Sequence, residues 1–360
     1  MWMLQARPVR RLSGALAPMV VLTLLAMAAP QALADSSGVH CRPVALSVPP
    51  SLAVTEPVAV PLPDEPWRIA GTLCSPPGAT TAQVLLSGST YGKEYWNAGF
   101  RPGEYSYARH QAAAGHATVS LDRLGIGQSS HPQPELITSA AQAKIASLFV
   151  GALRDGRFGD AYDTVVIAGH SYGSAVALIE ASTYHDVDGV VVTGFTHEIG
   201  PEFVTEVLPS LAPAATVDPE RFGSLPAGYL TTRDDVHRAP FYHAPGADPA
   251  AIDYDESTKQ TTTMTELGTI GRALTGSAAV TAPVLAVFGD HDPYTCGVGT
   301  TCADPLSLVD AERRFYPRAR SFETAVIPNT GHSLTLHSSA RQSAAAIAEW
   351  IDRTVPNSSR

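Results

Sequence analysis

The segment that most constrains the fold runs from Thr164 to Ala175 and reads T-V-V-I-A-G-H-S-Y-G-S-A. Its β-branched start predicts a buried strand, and the small residues after Ser171 predict a helix that begins at once. Such a sharp strand-to-helix turn strains the serine backbone, so the residues two positions away must lack a clashing side chain. Gly169 and Gly173 meet this requirement. The alternative is a glycine-rich turn with a surface serine.

Short apolar runs bounded by Gly, Ser or Asp recur along the chain and alternate with amphipathic segments. This alternation is typical of strands buried on both faces of a parallel sheet. The predicted strands are 67–73, 83–86, 117–121, 164–168, 189–193, 284–288 and 324–327, and the predicted helices are 105–114, 136–154, 171–183 and 340–354. We therefore expect an α/β fold with a doubly wound, mostly parallel sheet that binds ligands at the carboxyl ends of its strands.

Residues 195–275 interrupt this alternation with prolines, aromatic residues and scattered charges. An insertion after the strand 189–193 would lie above the carboxyl end of the sheet, over Ser171. We expect it to be a cap that supplies the apolar walls of a substrate pocket, although an insertion without substrate contact is an alternative. The core domain would then comprise residues 66–194 and 276–356, preceded by an extended lead-in at 35–65.

The first 34 residues have the features of a secretory signal peptide. Arg7, Arg10 and Arg11 precede an apolar stretch at 15–29, and the sequence A-L-A ending at Ala34 fits a cleavage site. We expect cleavage after Ala34 and a secreted, extracellular protein. The apolar stretch is too short for an anchor helix, and no second long apolar run follows, so we expect no membrane span in the mature chain. General secretion is favoured over the twin-arginine route.

The mature chain is predicted to be strongly acidic. The full sequence has 24 Lys and Arg against 34 Asp and Glu, and removal of three signal-peptide arginines gives (24 − 3) − 34 = −13. Such a charge argues against nucleic acid or anionic membranes as partners. The pocket expected over Ser171 points instead to a small-molecule substrate. The sequence carries no prediction of oligomeric state.

The four cysteines, Cys41, Cys74, Cys296 and Cys302, all follow the expected cleavage site. An even number of cysteines in an exported protein favours disulfides. Cys296 and Cys302 flank a short Gly/Thr loop, so we pair these two and leave Cys41 with Cys74, while the other pairings stay open. Without a C-x-x-C spacing, neither zinc nor thioredoxin chemistry is expected. The Asp-His-Asp run at 290–292 does not predict a metal site, because consecutive side chains diverge.

If Ser171 is a nucleophile, it needs a base to remove its proton and a third group to orient that base. His332 lies in a loop directly after the last predicted strand of the sheet, where it can reach the serine, and His337 is the alternative base. Asp290 and Asp292 follow the buried strand 284–288 and are the candidate acids.

Two backbone amides are expected to stabilise an oxyanion. One is the N–H of Tyr172, directly after the serine and at the start of a helix. The other is expected from the loop S-G-S-T-Y-G at 87–92, where we choose the Ser89 amide. The alternatives for this loop are a plain turn or a weak phosphate cradle, but it lacks the spacing of a nucleotide-binding motif. His170 is expected to pack against a neighbouring loop.

At these positions the sequence resembles the α/β-hydrolase superfamily of esterases, lipases and single-residue peptidases, over residues 67–354. The resemblance is carried by G-H-S-Y-G at 169–173, L-L-S-G-S at 85–89, L-D-R-L-G-I-G-Q-S at 121–129, G-D-H-D-P at 289–293 and N-T-G-H at 329–332. The family usually has D-x-R-G-x-G-x-S at the third of these places. Its chain order is also Ser, Asp, His. The family pattern places the acid three residues after the glycine, which favours Asp292. Many members have His-Gly where this chain has Ser87-Gly88.

The resemblance implies acyl transfer to water through an acyl-Ser171 intermediate, without a cofactor. A carboxylic-ester hydrolase is the first expectation. An exported aminopeptidase of the proline-iminopeptidase type is the second, with Glu198, Glu202 or Glu206 holding the substrate ammonium. An acyltransferase is the third. The alternative from another class is a binding protein that kept the fold and lost the chemistry.

Overall fold

The computed structural model describes residues 39–198, 200–234, 236, 238–295, 302 and 304–355. The predicted signal peptide at 1–34 lies outside the described residues, as does Cys296.

A central sheet of eight strands forms the core, in the order β1-β2-β4-β3-β5-β6-β10-β11. The pairs β1–β2 and β2–β4 are antiparallel and the other five pairs are parallel, which confirms the predicted mostly parallel sheet. Its strands are β1 (His40–Val48), β2 (Trp67–Ser75), β3 (Thr81–Leu86), β4 (Ala117–Leu121), β5 (Thr164–His170), β6 (Gly189–Thr193), β10 (Val284–Gly289) and β11 (Phe322–Ile327).

Helices cover both faces of this sheet. The α-helices are α1 (Pro50–Ala53), α2 (Pro102–Tyr105), α3 (Tyr107–Ala113), α4 (Ser139–Arg154), α5 (Tyr172–Tyr184), α6 (Leu208–Ser210), α7 (Ala214–Val217), α8 (Pro219–Phe222), α9 (Pro249–Thr258), α10 (Met264–Gly268), α11 (Gly271–Gly276), α12 (Pro305–Glu312) and α13 (Ala340–Thr354). Among the residues that the structure describes, no helix combines the length and the apolar character needed to cross a membrane.

Strand β5 shows why the fold is doubly wound. All seven of its residues are buried, and successive side chains of a strand point to opposite faces of the sheet. Val165 and Ile167 join the apolar cluster that contains α4 and α5, whereas Val166 and Ala168 join the cluster that contains α3 and α13. A strand with apolar residues on both faces is stable only between two helical layers.

The lead-in at 35–65 contains β1, which the sequence analysis did not predict. Only the second half of β1 alternates, with Val44, Leu46 and Val48 buried, and the strand contains Pro43, which cannot donate a backbone hydrogen bond. Proline is tolerated because β1 is an edge strand that pairs only with β2. Cys41 lies opposite Cys74 in this pair, and the two form the predicted disulfide.

Residues 195–275, here called the insertion, contain a second sheet that was also not predicted. Its strands β7 (Leu211–Pro213), β8 (Tyr229–Thr232) and β9 (Thr262–Thr263) pair antiparallel in the order β7-β8-β9. Strands of two to four residues are too short to show a period in the sequence, so the pattern gave no signal. The described part of the insertion also contains a π-helical turn at Phe203–Val207, helices α6 to α10 and most of α11.

Candidate active site

Ser171 lies at the turn between β5 and α5, with φ 52° and ψ −119°. A positive φ is rare for a residue with a side chain, so this backbone is held in place by its surroundings. A Cβ at Gly169 would overlap the backbone of Gly173, and a Cβ at Gly173 would overlap the carbonyl of Leu86. The two glycines are therefore required by the tight contact of the turn with itself and with β3.

His332 and Asp292 are hydrogen-bonded at the same edge of the sheet. They lie in the loops after the adjacent strands β11 and β10, and Nδ1 of His332 is 2.8 Å from Oδ2 of Asp292. Both residues are buried, and Oδ1 of Asp292 accepts a hydrogen bond from the backbone N–H of Tyr294 at 3.0 Å. A carboxylate at this distance holds the proton of the imidazole on Nδ1, so Nε2 is free to act as a base.

Asp290, the alternative candidate for the acid, does not contact His332 in this way. Oδ1 of Asp290 accepts a hydrogen bond from the N–H of Thr330 at 3.0 Å and contacts Nδ1 of His291 at 2.7 Å. Burial opposes the ionisation of Asp290, but these hydrogen bonds outweigh it and lower the pKa of the carboxyl group. Asp290 therefore stabilises the start of the loop that carries His332.

His337 is held by backbone groups on both sides of its ring. Nδ1 donates to the carbonyl of Ser333 at 2.8 Å, while Nε2 accepts from the N–H groups of Gly331 at 3.0 Å and His243 at 3.1 Å. Burial lowers the pKa of His337 to about 4. A neutral imidazole with both nitrogens engaged in this way orders the loop around His332.

His170, directly before the serine, packs on the loop after β3. Its ring stacks on Tyr95 with a centroid distance of 4.3 Å, and Nδ1 lies 3.1 Å from the hydroxyl of Thr193. Burial lowers the pKa of His170 well below its usual value, with smaller contributions from His332 and Arg238. His170 is therefore an uncharged packing residue, and the centroid of its ring lies 4.7 Å from that of His332.

A cavity of about 240 Å³ opens above Ser171 and His332. Most of its lining is apolar and much of it comes from the insertion, including Phe203, Leu208, Leu211, Phe241, Leu267 and Ile270. None of the described residues that line it is Asp, Glu, Lys or Arg. Such a cavity fits an uncharged, apolar ligand whose reactive group reaches the serine.

The two residues chosen for the oxyanion also line this cavity. Tyr172 is the first residue of α5, where a backbone N–H has no acceptor within the helix. The loop of Ser89 passes directly beside the serine, because a Cβ on Gly88 would lie 3.1 Å from Cβ of Ser171. The amide of Tyr172 thus directly follows the serine in the chain, and the amide of Ser89 directly follows the glycine that passes beside it.

The segment 121–129 is hydrogen-bonded to the chain directly after the loop 87–92. Asp122 contacts Nζ of Lys93 at 2.5 Å and accepts hydrogen bonds from the N–H groups of Lys93 at 3.1 Å and Gln128 at 3.0 Å. Ser129 donates to the carbonyl of Asp122 at 2.6 Å. The motif thus ties the chain that follows the loop 87–92 to the end of β4.

Sequence reasoning missed a buried arginine of the insertion that reaches the same loop. Nη1 of Arg238 donates to the hydroxyl of Thr90 at 2.6 Å, and its guanidinium lies over the ring of Tyr91 at 4.0 Å. Asp255 balances the charge, with its Oδ2 3.2 Å from Nε of Arg238. No local pattern marks an arginine as buried, because its partners are distant in the sequence.

Within the described part of the chain, no group of three or more His, Cys, Asp or Glu residues is placed to hold a metal ion.

Comparison with known proteins agrees with the observed fold. The model of an alpha/beta hydrolase family matches residues 83–348, so the chain belongs to that family. A search of curated proteins found no match.

Solved structures of low sequence identity share the fold. A soluble variant of a monoglyceride lipase from Saccharomyces cerevisiae, solved with a substrate analog, is 14% identical with a TM-score of 0.57, and the match covers 84% of this chain and 98% of that one. A putative aryl esterase from Burkholderia cenocepacia is 15% identical with a TM-score of 0.55, covering 89% and 100%. A thermophilic esterase from Thermogutta terrifontis is 17% identical with a TM-score of 0.50, covering 87% and 100%.

Proposed function

We propose that this hydrolase cleaves carboxylic esters through an acyl-serine intermediate on Ser171. The observation that carries the proposal is the imidazole of His332, which is bound through Nδ1 to buried Asp292 and lines the same apolar cavity as Ser171. In this assignment His332 is the general base, and Asp292 holds its tautomer and stabilises the imidazolium.

The reaction would proceed in two steps. Nε2 of His332 takes the proton from Oγ of Ser171 as the oxygen attacks the ester carbonyl, and the amides of Tyr172 and Ser89 stabilise the resulting oxyanion. The imidazolium then gives its proton to the leaving alcohol, which leaves an acyl enzyme. Water, activated by the same imidazole, hydrolyses the acyl enzyme and restores Ser171.

The cavity favours an uncharged acyl group as substrate. Its described lining lacks carboxylates, and two of the acidic residues proposed for an aminopeptidase have other contacts. Glu198 pairs with Arg314 at 2.6 Å, and Glu206 accepts a hydrogen bond from the hydroxyl of Tyr294 at 3.3 Å. A substrate ammonium in this cavity would be desolvated without a counter-ion, which is costly. Esters of apolar acids avoid this cost, and two of the similar structures are named as esterases.

We also propose that the protein is exported after cleavage behind Ala34. The disulfide between Cys41 and Cys74 supports this proposal, because disulfides persist in oxidising compartments. An N-terminal sequence that starts at Asp35 in the secreted protein would support it, and a reduced protein that is retained inside the cell with Met1 in place would contradict it.

The test of the activity is hydrolysis of p-nitrophenyl esters from acetate to palmitate by the mature protein. We expect Ser171→Ala to remove nearly all turnover and all labelling by a fluorophosphonate. Ser182→Ala is the matched control, because Ser182 is on the same helix and its hydroxyl donates only locally, to the carbonyl of Ile179. A wild-type protein that neither turns over esters nor labels would refute the proposal.

A further inference from the structure

Arg123 is a fully buried cation that the proposed reaction does not use directly. It follows Asp122 in the motif at 121–129 and is 1% exposed. Its Nε donates to the carbonyl of Ser87 at 2.9 Å, and its Nη2 donates to the carbonyl of Gly88 at 3.1 Å. One rigid guanidinium therefore holds two successive carbonyls of the loop beside Ser171.

The second of these carbonyls belongs to the peptide group that matters for the reaction. In a planar trans peptide the carbonyl of one residue and the N–H of the next point in opposite directions. Because the carbonyl of Gly88 faces Arg123, the N–H of Ser89 faces away from Arg123, and Ser89 lines the cavity. A cation on the carbonyl also polarises the peptide group and strengthens its N–H as a donor.

The guanidinium also contacts the other proposed oxyanion residue. It lies over the ring of Tyr172 at 4.7 Å from the ring centre, and the hydroxyl of Tyr172 is 3.0 Å from the hydroxyl of Ser139. One side chain thus contacts both the loop that carries Ser89 and the side chain of Tyr172, the two residues proposed to supply the oxyanion amides.

The counter-ion of Arg123 comes from the insertion. Oε1 of Glu266 pairs with Nη1 of Arg123 and accepts a hydrogen bond from Gln142 at 2.9 Å. Oε2 accepts hydrogen bonds from the hydroxyl of Thr262 and the N–H of Thr263, both at 3.1 Å. Glu266 is 1% exposed, so each of its oxygens is satisfied by buried partners and its position is fixed by β9 and α10.

From these contacts we propose that Arg123 is a positioning residue for the oxyanion amide of Ser89, and that Glu266 of the insertion holds Arg123 in place. The proposal rests on the function proposed above. It predicts that the insertion acts on the chemical step as well as on substrate binding, through the chain Glu266–Arg123–Gly88.

The test compares Arg123→Met and Arg123→Lys with wild type. Loss of one oxyanion donor costs about 10²–10³-fold in kcat in other hydrolases. We expect Arg123→Met to lower kcat by about 10²-fold with KM changed by less than about threefold, since the interaction is made in the transition state. Lysine carries the positive charge but cannot donate to both carbonyls in the fixed geometry of a guanidinium, so Arg123→Lys should restore only part of kcat.

An inhibitor pair separates positioning from a general structural role. A trifluoromethyl ketone with an apolar chain adds to the serine and places an oxyanion in the site, whereas the matching alcohol binds only the cavity. Arg123→Met should raise the Ki of the ketone by about 10²-fold and leave the Ki of the alcohol unchanged. A loss of kcat with an unchanged ketone-to-alcohol ratio would overturn the proposal, and so would an unchanged kcat.

Arg154→Met is the matched control. Arg154 also donates to two carbonyls, of Asp163 and Asp186, and pairs with Asp188, but these residues precede β5 and β6 at the opposite edge of the sheet. This variant should keep both kcat and the inhibitor ratio.

Glu266→Gln tests the insertion and serves as the second variant if Arg123→Met does not fold. Glutamine keeps the shape of the side chain and one acceptor oxygen, so we expect kcat to fall about tenfold and the Ki of the ketone to rise by a similar factor. A variant with the kcat and the ketone Ki of wild type would overturn the role of Glu266.

Fluorophosphonate labelling of wild-type Ser171 distinguishes failure of this inference from failure of the proposed function. If wild type labels and the Arg123 variants match it in every constant, only the present inference fails. If wild type does not label, the proposed function fails and the inference with it.

Discussion

Replacement of Asp292 by Asn is the most direct test of the assignment of the acid. The carboxylate accepts from Nδ1 of His332 at 2.8 Å and from the N–H of Tyr294 at 3.0 Å. Asparagine has one oxygen and one NH₂ group, and the N–H of Tyr294 can be satisfied only by the oxygen. The NH₂ group would therefore face His332 and donate to Nδ1.

This exchange would reverse the tautomer of His332. With Nδ1 accepting a hydrogen bond, the proton of the neutral ring lies on Nε2, which can then no longer accept the proton of Ser171. The same substitution in a serine protease triad lowers kcat by about 10⁴-fold. That factor corresponds to about 5.5 kcal/mol of transition-state stabilisation. We expect a loss of about 10³- to 10⁴-fold in this protein, with a smaller effect on KM.

The assay is the kcat for a p-nitrophenyl ester, measured beside Asp290→Asn. The second variant removes a neighbouring charge but can keep the acceptor for the N–H of Thr330. We expect it to remain within about threefold of wild type. The reasoning is refuted if Asp292→Asn stays within tenfold of wild type, or if the two variants lose activity equally.

Three further predictions concern stability. Ser171→Gly should be about 1 kcal/mol more stable to urea than Ser171→Ala, because glycine adopts a φ of 52° without strain; equal midpoints would contradict the strain. Burial, together with Asp186, raises the pKa of Glu180 well above 4.5, so the folded state binds more protons and stability falls as the pH rises from 4.5 towards that raised pKa. Glu180→Gln should therefore unfold at a higher temperature than wild type at pH 8, with the advantage shrinking towards pH 4.5, and parallel melting curves would argue against it. Replacement of Cys41 and Cys74 by serine removes only their disulfide, which spans 33 residues of sequence, and should lower the free energy of unfolding by about 2–4 kcal/mol in urea; an unchanged midpoint would oppose this.

The sequence was sufficient for the parts of the fold that depend on local pattern. Strands β4 and β6 begin and end at the predicted residues, because the runs A-T-V-S-L and G-V-V-V-T are rich in apolar and β-branched residues and are bounded by polar residues or glycine. The turn at Ser171 could be predicted for the same reason, since the glycines that it requires lie two residues before and after the serine. The helix predicted at 105–114 corresponds to α3, which begins two residues later because the side chain of Ser106 caps it by accepting from the N–H of Arg109; Tyr105 ends the separate helix α2.

Features that depend on contacts between residues distant in the sequence could not be predicted from it. Arg123 and Glu266 are 143 residues apart, and an arginine in a polar loop motif carries no mark of burial. The pairing of β1 with β2 supports a proline that would otherwise argue against a strand. The catalytic roles of Ser171, His332 and Asp292 remain predictions, but the hydrogen bond between His332 and Asp292 gives them a geometric basis.

The pair formed by Arg123 and Glu266 also limits how this protein can be re-engineered. Exchange of the insertion for the corresponding segment of a relative is an obvious way to try to change specificity. Such a chimera would remove Glu266 and leave Arg123 buried without a counter-ion, and breaking a buried pair in this way costs about 3–5 kcal/mol. A successful graft must therefore bring a carboxylate to the same place, or replace the arginine together with the insertion.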